Sequence, residues 1–405
     1  MRDRVIFHID GNNFFASCEC LLAPELRNVP MAVAGDPASR HGIILAKNQL
    51  AKAKGVQTAE AIWQAKRKCP ELVLTKPHHH FYEQISQSMN EIFLGYTDLV
   101  EPASIDESYL DVTGSLHLFG GNPVALADRI RAQVFRELGI TVSIGVSFCK
   151  VFAKLGSDYQ KPDATTHFPR QAVEGMIWPM PVDNLLFVGR QFAQSLHQLG
   201  IRTIGDLARA DEELIRNKFG LRGEQAQRSA RGYDSEPVRP YHVPRPVKSI
   251  GNSTTYPKDL VGRRQLRLGF LTLAESVSRR MQLQQVHCRR VQIQIKDPQF
   301  HTLSRQVTLE RSLWLAGELC DVAMELADQL WSYDRPVRLL SLTAEQLIPI
   351  GEDTPQLSLF PDPDQARREK QGRLEGAMTS IRDKFGKGAI HRAGIDAMED
   401  EKKER

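Results

Sequence analysis

Nowhere in the 405 residues do about 18 apolar residues run together, so no membrane-crossing helix is expected. The N-terminal apolar run RVIFHID is interrupted by Asp10 before it reaches the length of a secretory core, and a cytosolic protein is expected. Cysteine is sparse. Cys18, Cys20, Cys69, Cys149, Cys288 and Cys320 form no Cys-x-x-Cys and no pairing with histidine at zinc-ligand spacing, which predicts reduced, mostly buried thiols. His78, His79 and His80 are adjacent, and adjacent side chains in regular structure cannot converge on one ion, so a solvated loop is expected there. With 41% hydrophobic and 25% charged residues, wholesale disorder is excluded and roughly two to four domains can each hold a core.

Net charge is also small, at +4, but it is unevenly spread. Between Pro237 and Glu310 there are 13 Lys and Arg against 4 acids, while the remainder of the chain is net negative. A basic segment in an otherwise acidic chain fits a polyanion-binding module, and equally a solvated basic face.

The chain reads as a series of modules. Residues 1–168 mix strand-like runs (RVIFHID, LVEPAS, SYLDV, ITVSIGVS) with helical periodicity from Pro123 to Leu138, predicting an α/β or α+β domain. Residues 169–236 carry short helical patterns punctuated by glycine. The proline-rich run EPVRPYHVPRPVK cannot continue a helix and predicts an extended linker over 237–246. Residues 247–350 return to α+β, with VQIQIKD alternating at period two and LRLGFLTLAESVSRRMQ at helical period. From Gly351 a polar tail follows, with one short apolar plug, QLSLF, and a charged helical pattern after it.

Asp10 closes the first strand-like run, and Asp106 and Glu107 sit side by side at a turn expected between two strands. Taken separately they read as a strand-end acid and two turn acids, and spacing cannot join them. If the hairpin pairs beside the Asp10 strand, three carboxylates meet, and their repulsion is relieved by a divalent cation. Oxygen-only ligands favour Mg²⁺ or Mn²⁺, and two such ions form the clamp used in phosphoryl transfer.

HIDGNNFFASCE, SIDESYLDVTG and TVSIGVSFCKVFAKLGSDYQKPDA, in this order and spacing, resemble the Y-family translesion DNA polymerases, in the branch of DNA polymerase IV and the polymerase V catalytic subunit. The resemblance spans nearly the whole chain. It implies an α+β multidomain fold: a right-hand palm (1–12 and 79–168), small fingers (13–78), a helical thumb with a helix-hairpin-helix (169–236), the linker (237–246), an α+β little finger that binds DNA (247–350) and a tail (351–405). It further implies that Asp10, Asp106 and Glu107 are the catalytic and metal-binding acids, with the Gly11 carbonyl a further ligand to two Mg²⁺, Mn²⁺ being an alternative. Phe15 falls at the family's steric gate, whose ring excludes a ribose hydroxyl, and Phe14 packs under the sugar or into the palm. Lys161 in QKPDA matches the triphosphate-contacting lysine. In AKNQLAKAKGV the positions that ordinarily hold tyrosine and arginine read Gln49 and Lys52, and Lys52 keeps the charge without the bidentate fork. Asn12 stands where many relatives carry a second aspartate, and Ala164 replaces a common glycine.

By the same resemblance LLFVGRQFAQSLHQLGIRTIGDL is the thumb hairpin, with Gly189 at its phosphate-binding turn and Phe187 at the site of the first hairpin glycine; a purely structural hairpin fits the pattern equally. KFGLRGEQAQRSARG is a second hairpin candidate. Lys248, Ser249, Thr254, Arg289 and Arg290 are expected DNA contacts of the little finger, tolerant of sequence and sensitive to salt. Gln356, Leu357, Ser358, Leu359 and Phe360 resemble the peptide by which bacterial replication proteins dock on the sliding clamp, and tethering would raise the residence of a weakly gripping polymerase.

These expectations describe a monomeric, nucleoid-associated enzyme of the bacterial cytosol that adds dNTPs to a primer on template DNA with low fidelity, as no further acidic cluster suggests a proofreading exonuclease. The rivals are a catalytically idle accessory protein bridging damaged DNA and the clamp, which the intact acids disfavour, and another two-metal palm enzyme such as a nucleotidyl cyclase, which the basic module and clamp peptide disfavour.

Overall fold

The structure is a computed structural model that describes residues 3–36, 42–243, 245–352, 365–386 and 389–390. The peptide Gln356–Phe360 lies outside the described residues. The chain divides into two compact units, Met1–Pro244 and Arg245–Arg405.

The strands of the first unit are β1 (Ile6–Gly11), β2 (Met31–Ala34), β3 (Ile44–Lys47), β4 (Val73–Thr75), β5 (Val100–Pro102), β6 (Glu107–Asp111), β7 (Val142–Ser147) and β8 (Thr165–Phe168). Its helices are α1 (Phe14–Leu22), α2 (Gln49–Ala53), α3 (Ile62–Lys68), α4 (His79–Leu94), α5 (Pro123–Leu138), α6 (Lys150–Tyr159), α7 (Arg190–Gln198), α8 (Ile204–Arg209) and α9 (Glu212–Ala230). A five-stranded sheet runs β5-β6-β1-β7-β8, and a three-stranded sheet runs β3-β2-β4.

Strand β1 is central and buried along its length, which is why its sequence is apolar up to Asp10 but for the buried His8. Its side chains alternate. Phe7 and Ile9 join the core formed with α4 and α5, each contributing about 2 kcal/mol by burial. Ile6, His8 and Asp10 face the opposite way, where Ile6 packs with Ala153 of α6 and His8 Nδ1 lies 2.8 Å from Ser157 Oγ. Helix α5 matches its predicted span; Asn122 accepts hydrogen bonds from the Val124 and Ala125 N–H groups, and Gly139 ends it in a left-handed conformation. The histidine triplet is not a loop. His79 opens α4, and His78 Nδ1 lies 2.9 Å from the buried Glu19 Oε1, which fixes the start of the helix.

Residues 170–230 are helical between short turns, as expected. The hairpin before α7 is formed by a single 3-10 turn, Val182–Asn184, rather than a full helix. Phe187 adopts φ +67, the conformation a glycine would take without strain, and its ring is 79% exposed. Helix α9 breaks at Gly220 (φ 60, ψ −150), so KFGLRGEQ also forms a helix-glycine-helix turn. The proline-rich segment after α9 has no regular element, yet Val238 is buried, and Arg239 donates to Glu101 from both its backbone and its guanidinium.

The second unit contains β9 (Ser249–Leu260), β10 (Val286–Lys296), β11 (Thr302–Leu313) and β12 (Val337–Pro349), with α10 (Arg263–Leu283), α11 (Ala316–Leu330) and α12 (Gln365–Phe385). The sheet is antiparallel in the order β11-β10-β12-β9. Val291, Ile293, Ile295, Leu340 and Leu342 pack with α10 and α11, so one face of the sheet is covered. The charged helix of the tail is docked. Glu375 of α12 accepts from the Ala316 N–H and from Ser278, capping α11, whose own N-cap residue Leu315 offers no acceptor. All six cysteines are free and buried, and among the described residues no helix is long and apolar enough to cross a membrane.

The depth at which α6 sits on the sheet is set by Gly145 on β7. A Cβ at this position would lie 1.9 Å from the Ala153 carbonyl oxygen and 2.4 Å from the Ser157 nitrogen. Gly145→Ala should therefore force α6 away and cost about 3 kcal/mol or more in urea unfolding; a loss below about 1 kcal/mol would mean that this contact relaxes freely.

Candidate active site

The hairpin of β5 and β6 pairs beside β1, and the antiparallel register sets Asp10 directly opposite Glu107. Two acids nearly a hundred residues apart in the chain are thus cross-strand neighbours. Asp106 occupies the turn just before β6, where its carbonyl accepts from the Gly11 N–H at 2.9 Å. A side chain at position 11 would press on Phe14 at 3.1 Å and on Asp106 at 3.4 Å, so glycine is what lets the turn close over the end of β1.

Helix α6 supplies the counter-charge. Lys154 Nζ lies 2.7 Å from Glu107 Oε1, 3.2 Å from Asp10 Oδ2 and 3.1 Å from Asp158 Oδ2. Lys161, just beyond the helix, reaches Asp10 Oδ2 at 2.7 Å and Asp158 Oδ1 at 2.6 Å. Asp106 turns instead to Ser104, whose hydroxyl donates to it at 2.7 Å. Among the described residues no three acidic, imidazole or thiol side chains converge on one point in metal-ligating range. The lysines draw Asp10 and Glu107 to one side, and Ser104 holds Asp106 on the other. The donors around this opening are nonetheless all oxygens, the set that suits a hard divalent cation.

The electrostatics follow burial first. Burial raises the Asp10 carboxyl to about 6, with Lys161 opposing the rise. Burial also raises Asp106, and Ser104 opposes it. Glu107 is held below the usual carboxylate range by His8, whose Nε2 is 3.8 Å away, and by Lys154. His8 itself is pushed down by burial, so it is neutral at pH 7. Burial works against the charge on Lys154, but its three acidic neighbours outweigh that and its pKa is raised.

Asp10, Gly11, Phe14, Phe15, Asp106 and Lys161 line one cleft of about 330 Å³, closed on its other side by Leu45, Ala46, Lys47 and Thr58. The Phe14 ring is buried in the core. Phe15 is stacked on Tyr82 (centroids 4.4 Å apart, planes at 18°) and met edge-on by His79 at 5.8 Å. The Tyr82 hydroxyl donates to Glu19, so the ring behind Phe15 is itself anchored. Asn12 explains its departure from the expected aspartate. It donates to Ser143 at 2.9 Å and accepts from the Asp163 N–H at 2.8 Å, which pins the Lys161 turn to the end of β1 without adding a charge.

Lys52 is exposed on α2 and does not line the cleft; Lys47 does, donating to Thr58 at 3.0 Å, and the nearby Lys52 helps to lower its pKa after burial. Gln49 opens α2 and is likewise outside the cleft lining. Lys154, Asp158, Lys47 and Thr58 were not singled out in the sequence. The first two carried a usable signal, an i,i+4 Lys–Asp pair three residues before Lys161. Gly189 is the N-cap of α7, its side-chain-free turn opening that helix.

In the second unit, Lys248 immediately precedes β9 and is exposed. The register puts Ser249, Glu345, Arg290 and Thr308 in one row across the uncovered face. The next rows hold Gly251, Thr343, Gln292 and Gln306, then Ser253, Ser341, Gln294 and Ser304. Thr254 pairs with the buried Leu340 and belongs to the helix-covered face, a correction to its expected place among the DNA contacts; Ser253 and Thr255 flank it on the open face. Arg289 falls at a bulge between Cys288 and Arg290.

A divalent cation held at Asp10 would bind with a pH dependence of definite sign. The folded protein holds this proton more tightly than the unfolded chain, whose carboxyl has its ordinary value of 3.8, so ionising Asp10 costs stability increasingly between pH 3.8 and about 6. A cation bound here must displace that proton at lower pH. Mn²⁺ affinity, followed by electron paramagnetic resonance, should rise about tenfold per pH unit up to about 6 and flatten above, and Asp10→Asn should remove that dependence near pH 6, leaving only the part due to Asp106. An affinity independent of pH over this window would show that Asp10 is not a ligand.

Comparisons with known proteins bear on the whole chain. The profile of the impB/mucB/samB family matches residues 9–158, and that of the impB/mucB/samB family C-terminal domain matches residues 247–359. The chain is 42% identical to a DNA polymerase IV of Acetivibrio thermocellus, over 96% of both chains. It is 36% identical to DNA polymerase IV 1 of Bacillus subtilis, over 99% of this chain and 95% of that one. Among solved structures it is similar in fold to a Y-family DNA polymerase chimera, with a TM-score of 0.74 at 22% identity, covering 85% of this chain and 99% of the other. Its two-unit architecture of mixed sheets and helices, with a separate C-terminal domain, is therefore that of a right-hand polymerase with a little finger. The chain belongs to the impB/mucB/samB family, the Y-family translesion DNA polymerases, and is a DNA-directed DNA polymerase.

Proposed function

We propose that the cleft between Asp10 and Lys47 is where a dNTP is joined to a primer end by low-fidelity, two-metal phosphoryl transfer, with Asp10, Asp106 and Glu107 as the catalytic acids. The observation that carries this reading is the cross-strand pairing of Asp10 with Glu107, where Asp10 and the adjacent Asp106 line a cleft that also holds Lys47 and Lys161, while Glu107 stands behind Asp10 outside the cleft lining. Two Mg²⁺, replaceable by Mn²⁺, would be held by these three carboxylates and the Gly11 carbonyl, and when bound would activate the primer 3′ hydroxyl and neutralise the leaving pyrophosphate. Lys161 and Lys47 stand on opposite sides of the cleft and would meet the triphosphate, whose charge exceeds what the metals balance. Lys52, exposed on the neighbouring helix, would act on it through its field rather than by contact.

Phe15 would act as the sugar gate. Exclusion requires a ring that does not yield, and the Tyr82 stack, the His79 edge and the Glu19 anchor supply that rigidity. In this reading residues 1–12 and 79–168 are the palm, 13–78 the fingers, 169–236 the thumb, 237–246 the linker and 247–350 the little finger. The open sheet face of the last would lie on DNA through Ser249, Arg290 and their neighbours, with Lys248, Arg289 and the Gly189 turn contacting phosphates. The sequence of residues 356–360 supports docking on a sliding clamp, and the enzyme would act as a monomer. The idle accessory reading has no observation in its favour.

One primer-extension assay tests these assignments. Asp106→Ala should lower the extension rate by at least about a thousandfold while DNA affinity is kept, and extension near the parent rate would remove the acids from the chemistry. Phe15→Ala should admit ribonucleotides; unchanged sugar selectivity would mean that another residue is the gate. Deleting residues 356–360 should abolish stimulation by the clamp and spare basal extension.

A further inference from the structure

The cleft wall that carries Lys47 and Thr58 continues outward into a surface that the chemistry above does not use. Residues 59–62 run antiparallel to 42–44. The Ala59 N–H donates to the Ile44 carbonyl at 2.8 Å, the Ile44 N–H to Glu60 at 2.9 Å and the Ile62 N–H to Gly42 at 3.2 Å, with Ile43 and Ala61 as a bridge pair. Along this ladder Thr58 faces the cleft, Ile43 is 40% exposed, and Trp63, at the start of α3, is 61% exposed. From Thr58 to Trp63 is five residues, at most ~17 Å of chain.

Trp63 is followed at i+3 and i+4 by Lys66 and Arg67, which places all three on one face of α3, and both cations are exposed. Their neighbours are neutralised: Lys68 pairs with Glu60 at 2.5 Å and Lys54 with Glu71 at 3.3 Å. Among the described residues no ion pair is formed by Lys66 or Arg67. A solvent-facing indole beside two uncompensated cations is the chemistry that holds single-stranded nucleic acid, a ring for a base and charges for the phosphates on either side. A purely apolar protein contact would not call for the cations.

We propose that Trp63, with Lys66 and Arg67, binds the unpaired template strand just ahead of the base being copied, stacking one nucleotide on the indole. This deepens the proposed function and rests on seating the incoming nucleotide in the cleft. The acids and the primer end lie on one side of that nucleotide, so the uncopied template leaves on the other, over the wall that ends in Ile43 and Trp63. The site takes any base, since stacking does not read sequence.

The test measures binding alone, in the full chain, without nucleotide or metal. Fluorescence anisotropy compares a blunt duplex with primer-templates that carry single-stranded 5′ template overhangs. The parent should gain about tenfold in affinity from the overhang; Trp63→Ala should lose most of that gain, Trp63→Phe should keep part of it, and Lys66→Gln with Arg67→Gln should lower the salt slope of the gain by about 1.4. A 2-aminopurine at the first unpaired template position should be quenched by the parent and not by Trp63→Ala. Because Trp63, Lys66 and Arg67 are exposed, these variants fold. An equal overhang gain in parent and Trp63→Ala overturns the proposal, as does a concentration-dependent dimer that Trp63→Ala abolishes without a change in DNA affinity. Failure of the active-site assignment would appear instead as extension by Asp106→Ala and would leave this measurement unaffected.

Discussion

The approach of helix α6 to the central sheet is the constraint on which the active site depends. Two glycines, Gly145 on the strand and Gly156 on the helix, meet with only backbone between them; a Cβ on Gly156 would stand 3.0 Å from the Gly145 Cα. At that depth a side chain two residues earlier on the helix, Lys154, reaches both Asp10 and Glu107. Without a cation, two carboxylates facing each other across adjacent strands would repel by about 4 kcal/mol at an effective dielectric of 20. Lys154 and Lys161 offset that repulsion, and burial still holds the Asp10 carboxyl above its ordinary value despite them. A cation of higher charge in the same place would gain more than either lysine, so packing and electrostatics point to the same function.

The opposite wall is built with less burial and more reliance on local hydrogen bonds. Its ladder between 42–44 and 59–62 is short, and Lys47 reaches across to Thr58. Against it stands Phe15, backed by Tyr82 and held from behind by Glu19 and His78. A rigid floor and a lightly built roof suit the proposed seating of the sugar against Phe15 with a variable base above it.

Much of this was legible in the sequence because it depends on local pattern. The strand ending in Asp10, the span of helix α5 and the period-two run of β10 were read from the spacing of apolar residues. What was not legible depends on pairs distant in sequence or on register. Lys154 gains its meaning only when α6 meets the sheet. Lys47 replaces Lys52 at the cleft because one ends a strand lining it and the other sits on a short exposed helix. Thr254 lies on the covered face because side chains alternate along β9, and no local pattern in KSIGNSTTYP shows which parity faces the helices. The histidine triplet was misplaced for a similar reason: Glu19, which anchors His78 at the head of a helix, lies 59 residues away.

In the proposed little-finger role, the open face of the second unit would make weak, unselective contact with DNA. Its open face carries hydroxyls and amides in rows, with Arg290 partly answered by Glu345 at 3.8 Å. Such side chains can donate to phosphate oxygens in any sequence, but they release few counterions and so contribute little of the electrostatic affinity that dominates DNA binding. The basic excess between Pro237 and Glu310 is spent in part elsewhere: Arg263 pairs with Asp328, Arg267 with Asp321 and Arg239 with Glu101. A polymerase built on this face would slip readily from its template, and its residence would have to come from added contacts, of which an unpaired-template grip on the first unit and a tether to a ring around DNA are two independent kinds.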